Sequence, residues 1–177
     1  SRLLEMYFYN ASYVYFPIGE FKKAVACNLK EAKVARKAGN KKGELIALFN
    51  AAFQDLNAAI TANRNVKVAY DSFARAGSKL RKRIAGSPEK FDIQWMANLT
   101  CNTPLYNWFV NKKIPTVKTL EFLLNLPDDI RPTFHDAYLM ISLVAKNPKE
   151  AASRFAKITK KDASAHSMAL VIIAQTH

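Results

Sequence analysis

The chain has 177 residues, half of them hydrophobic and 23% charged, with 27 Lys and Arg against 14 Asp and Glu, a net charge of +13. That balance excludes a compositionally disordered chain and leaves enough apolar material for a sizeable core. The longest apolar stretch, residues 168–174, falls far short of the about 20 residues a membrane-crossing helix needs, so no span is expected.

Residues 1–18 come first as an aromatic segment. Six of the 18 Tyr and Phe residues fall within its first 16 positions: Tyr7, Phe8, Tyr9, Tyr13, Tyr15 and Phe16. We read it as a helix with Leu4, Phe8, Ala11 and Tyr15 on one face, the alternative being a small hairpin turning at Asn10, Ala11 and Ser12. It lacks the basic, then aliphatic, pattern of a secretion signal. The Asn10, Ala11, Ser12 glycosylation pattern reads as a turn or an exposed polar strip.

Residues 19–177 read as a single all-α domain, with a subdivision conceivable near 86–88. Residues 20–38 form a helix with Phe21, Val25, Ala32 and Ala35 inward, ended by Gly39 as its C′ residue. A second helix is expected over 43–62, burying Leu45, Leu48, Phe49, Ala52, Phe53, Leu56 and Ile60. After the break at Asn63, Arg64 and Asn65, a third covers 66–85, with Val66, Ala69, Tyr70, Phe73, Leu80 and Ile84 inward and Gly86 closing it.

Beyond this the starts take one form, a small polar N-cap followed by Pro at the first helical position, as at Ser87 and Pro88, Thr103 and Pro104, and Asn147 and Pro148. Short helices are expected near 89–100, 104–112, 117–125, 134–146, 148–158 and 160–175. The whole is an all-α, multi-helix bundle of about eight helices, longer in the first half and short and Pro-capped in the second. No segment shows the alternation of a strand, and no register repeats.

Catalytic constellations are missing. The five glycines form no phosphate loop, and His135, His166 and His177 share no ligand spacing with Cys27 and Cys101, which are too few for a disulfide framework or a four-ligand zinc site. Asp128, Asp129 and Asp136 beside His135 could hold Mg²⁺ for phosphodiester hydrolysis. The plainer reading makes Pro127, Asp128 and Asp129 a turn and Asp136 a first-turn carboxylate. Cys27, although lysines lie near it, reads as a small core residue rather than a reactive thiol. No enzyme activity, metal or cofactor is expected.

The charge is concentrated. Residues 20–42 and 64–90 each carry a net +6. In the first, Lys23, Lys30, Lys33 and Lys37 make a helical stripe, joined by Arg36, Lys41 and Lys42; in the second, Arg75, Lys79, Arg81, Lys82 and Arg83 cluster towards the helix end. Compensation of a helix dipole accounts for one or two such cations, not for two segments. These twelve side chains are therefore expected to contact nucleic-acid phosphates, mostly as lysine point charges and with little sequence preference.

The aromatic N-terminus and the apolar residues 163–174 are expected to join subunits, the aromatics alternatively stacking on unpaired bases. The pattern suits a non-enzymatic protein that coats or packages DNA or RNA, such as the coat or nucleocapsid subunit of a helical virus, located in the virion or bound to nucleic acid inside cells and not secreted. The alternative is a helical module that binds an acidic protein partner.

Overall fold

The fold is taken from a computed structural model, which describes residues 2–113. Over that range it is α-helical without a strand, in the order α1 (Arg2–Tyr15), α2 (Phe21–Lys37), α3 (Lys41–Thr61), α4 (Val66–Ile84) and α5 (Lys90–Asn111). The chain divides into two compact units, Ser1–Gly86 and Ser87–His177. The short helices expected from 117 onward, Asp128, Asp129, Asp136 and His135, and residues 163–174 lie outside the described residues.

In the first unit each helix packs against its neighbours in sequence: α1 on α2, α2 on α3, and α3 on α4. The turns explain why the neighbours run antiparallel. After α2, Gly39 adopts φ +72, and the Asn40 N–H reaches the Ala35 carbonyl (2.9 Å) while the Gly39 N–H reaches that of Arg36 (3.1 Å). This Schellman motif satisfies carbonyls left open at the helix end, as the sequence led us to expect of Gly39. Asn63, at φ 49, does the same after α3, with Arg64 N–H on the Ala59 carbonyl. Asn40 then caps α3, its Oδ1 accepting from the Gly43 N–H at 2.9 Å.

The core is aromatic at the α3–α4 contact. Phe73 is fully buried, with its ring centroid 5.2 Å from that of Phe49 and 6.0 Å from that of Phe53; Phe16 joins Phe53 at 5.8 Å and Phe21 at 5.7 Å. Of the inward set expected for α4, Ala69, Tyr70, Phe73, Leu80 and Ile84 are buried and Val66 is half-buried.

Three expectations need correction. The N-terminal helix is present, and Phe8, Ala11 and Tyr15 of its expected face are half-buried, but Leu4 is exposed, Glu5 and Tyr9 are half-buried as well, and Ser12 is the residue of the helix that is buried. The stripe expected of α3 holds in part: Phe49 and Leu56 are buried, but Leu45, Leu48, Ala52, Phe53 and Ile60 are only half-buried, whereas Glu44, Asn50 and Gln54 are buried, because α2 and α4 cover α3 from two sides. Asn28 Nδ2 accordingly donates to Gln54 Oε1 (2.6 Å) across the buried α2–α3 contact. Finally, α5 runs unbroken through Thr103 and Pro104, where two helices were expected. Pro104 lacks the N–H that would bond the Thr100 carbonyl, yet the helix buries Ala97, Leu99 and Thr100 just upstream, and that packing outweighs one missing bond.

Candidate nucleic-acid interface

On α2 the residues facing solvent are Lys22, Lys23, Ala26, Leu29, Lys30, Lys33, Arg36 and Lys37, one continuous helical face opposite the buried Ala24, Asn28, Ala32 and Ala35. At about 1.5 Å per residue its cations extend along roughly 22 Å. On α4 the exposed face carries Lys67, Arg75, Lys79, Lys82 and Arg83. Residues 1–86 hold 16 Lys and Arg against 6 Asp and Glu, so 10 of the 13 net positive charges belong to this unit.

The twelve expected contact residues fall into four groups by what they touch. Arg36 and Lys41 are tied to Glu44: Arg36 Nη2 lies 2.7 Å from Oε1 and Lys41 Nζ 2.9 Å from Oε2, on a carboxylate only 4% exposed. Hydrogen bonds from these two cations hold the Glu44 carboxyl below its ordinary range. Lys23 and Lys30 are exposed but lie over rings of α1, Lys23 5.7 Å from the Tyr15 centroid and Lys30 5.7 Å from that of Phe8, and Lys23 also meets Glu20 at 3.4 Å. Lys42 and Arg81 are half-buried and engaged, and burial lowers the Arg81 guanidinium.

The fourth group is open. Lys33, Lys37, Lys79, Lys82 and Arg83 are exposed and form no ion pair among the described residues, and Arg75 meets only the Ser72 hydroxyl at 3.2 Å. Lys22 and Lys67 lie on the same two faces and belong with them. Sequence reasoning passed them over because they sit at the leading ends of their clusters, although the helical period already places Lys22 with Lys33 and Lys67 with Lys82.

The outer face of α1 is apolar. Leu3 (82% exposed), Tyr7 and Val14 follow a helical spacing of four and seven there, and Met6 and Tyr13 beside them are about half exposed.

Behind these surfaces lies an acidic feature that the charge count did not single out. Between α1 and the α2–α3 corner is an open cleft of about 440 Å³ lined by Arg2, Glu5, Met6, Tyr9, Glu31 and Asn40. Glu31 is 7% exposed, and its Oε2 has no hydrogen-bond partner. Burial first, and the charge of Glu5 second, push its carboxyl up to about 7. Glu5 Oε2 accepts from Asn40 Nδ2 at 3.0 Å. The Tyr9 hydroxyl donates to that of Tyr13 at 3.2 Å and is raised well above the usual tyrosine range, chiefly by burial. Among the described residues no group of three or more His, Cys, Asp and Glu could hold a metal ion, and no helix is long and apolar enough to cross a membrane. Cys27 is a free, half-buried thiol.

No family model, curated protein or solved structure matches this chain.

Proposed function

We propose that this chain is a non-enzymatic nucleic-acid-binding structural protein that coats DNA or RNA through phosphate contacts with little sequence preference, as a coat or nucleocapsid subunit of a helical assembly. The observation that carries the reading is the set of exposed cations without carboxylate partners on α2 and α4. Two long faces of lysine and arginine suit a polyanion that runs past the protein, because each unpaired cation can displace a condensed counterion. The apolar outer face of α1 fits contact between subunits, since exposed Leu, Tyr and Val side chains in one stripe gain by being covered.

The test is co-sedimentation with long single and double strands at several salt concentrations, with the pellets viewed by negative stain. Regular filaments that require nucleic acid are the expected result. Replacing Lys33, Lys37, Lys79 and Lys82 together by Gln should flatten the slope of log affinity against log salt by about 0.9 for each lost phosphate contact, leaving the fold intact. Replacing Arg36 and Lys41 should chiefly lower stability, since both hold Glu44. A chain that ignores both polymers at about 50 mM salt sinks the reading.

The serial packing of α1 to α4 favours a second reading, a helical module whose exposed faces bind an acidic protein partner. That reading predicts a compact monomer with weak, non-saturating nucleic-acid binding.

A further inference from the structure

We propose that the cleft between α1 and the α2–α3 corner is a binding site for an organic cation, a guanidinium or ammonium group held by Glu31 and Glu5. In a chain of net charge +13, two carboxyl groups lining one cleft from adjacent helices, neither of them in an ion pair among the described residues, run against the prevailing sign. Glu5 is served by the Asn40 amide alone. Glu31 is more than nine-tenths buried, lines the cleft, and leaves Oε2 without any donor. A buried acceptor left open costs free energy that an entering donor removes, and a donor that also carries positive charge relieves the repulsion between the two carboxyls.

The class of ligand follows from the walls. A divalent metal needs about six oxygen ligands at close range, and the cleft offers two carboxyls and no further acidic or imidazole side chain. Its volume of about 440 Å³ suits an organic group. The Tyr9 ring and the Met6 thioether offer an apolar wall to an alkyl stem, and a guanidinium fork can span acceptors on both helices. Arg2 lines the cleft but makes no ion pair with either carboxyl. Two sources could supply such a cation: a free small amine, or a basic side chain of a second copy of this chain.

The charge state of Glu31 gives the site a pH signature. The titratable groups lining the cleft with it are Arg2, Glu5 and Tyr9, all from α1. On α3 the level between the Asn28–Gln54 and Arg36–Glu44 contacts is occupied by Ala47, Asn50 and Ala51, none of which titrates. Without ligand the carboxyl holds its proton up to about 7, and a bound cation would draw that proton off.

The probe is agmatine, which carries both a guanidinium and an ammonium group, titrated calorimetrically into the full chain at about pH 8, with tetramethylammonium as a cation without donors. Agmatine should bind saturably and tetramethylammonium should not. Glu31→Gln, which keeps the shape of the side chain, and Glu5→Gln should each weaken agmatine by about tenfold or more with circular dichroism unchanged. Between about pH 7 and about pH 5, binding to the unaltered chain should weaken by up to about tenfold per pH unit, and this dependence should be absent in Glu31→Gln.

Sedimentation velocity separates the sources. If a second copy supplies the cation, both agmatine and Glu31→Gln weaken self-association; if a free amine does, neither changes it. Three results overturn the proposal: no saturable agmatine binding, binding unaltered in both Gln variants, or binding that appears only in Arg2→Ala, which would mean that Arg2 itself fills the cleft.

Discussion

Glu31 carries the clearest conflict between local pattern and environment. It occupies an inward position of α2, one helical step from Asn28 and Ala35, among residues that are small or amide-bearing. Its carboxyl is raised from 4.5 to about 7, so the folded state binds the proton more tightly than the unfolded chain. The stabilisation this provides is complete below about pH 4.5 and is lost as pH rises through about 7. Above that window the ionised, unpartnered carboxylate should cost about 2 to 3 kcal/mol. Urea denaturation at about pH 5 and pH 8 should therefore show stability falling with pH over this interval, and Glu31→Gln should remove most of the fall. An equal fall in the variant would place the effect elsewhere. Gly43 makes a different point at the same scale. A Cβ there would collide with the Asn40 side chain that caps α3. Gly43→Ala should cost about 1 kcal/mol through the lost cap despite the better helix propensity of Ala, and Asn40→Ala combined with Gly43→Ala should cost no more than Asn40→Ala alone.

Among the elements, α2, α3 and α4 were legible because each presents an apolar helical period and is followed by a residue that tolerates positive φ, Gly39, Asn63 or Gly86, whereas the aromatic α1 also read as a hairpin. Their ends agree with the structure to within about two residues. Burial of α3 on two sides was not legible, because hydropathy assigns Glu44, Asn50 and Gln54 outward, and only the presence of helices on both flanks turns them in. The two basic faces could be placed from the same period. What could not be read was which of their cations are already committed: Arg36 reaches a carboxylate beyond the turn, and that carboxylate, shared with Lys41 one helical step away, is buried only by tertiary packing. The acidic cleft escaped for a related reason, as Glu5 and Glu31 are 26 residues apart and meet only through α1–α2 packing. At Pro104 a strong local signal for a helix start lost to packing. Pro104→Ala should therefore stabilise the chain by about 1 to 3 kcal/mol, read as a shift of the urea midpoint at constant slope. A loss of stability would show that the ring is needed where it stands.

Over the whole first unit, the order of packing governs how stability is distributed. α3 is held on two flanks and contributes Phe49 and Leu56 to the core, whereas α1 rests on α2 and leaves Leu3, Tyr7 and Val14 uncovered. Opening free energies should be graded accordingly. Amide exchange should be fastest in α1 and slowest in α3 and the facing part of α4, whereas uniform protection across the four helices would mean that they open only as one body. Because α1 is fastened along one flank and followed by a short turn with Gly19 at φ +78, it can leave α2 while the Phe49–Phe73 contact stays closed. The vacated side of α2 would then accept the same helix from a neighbouring molecule with every native contact restored, at the cost of joining two chains. Exchange of α1 between copies would tie successive subunits along an assembly by non-covalent helix packing, each handing its first helix to the next.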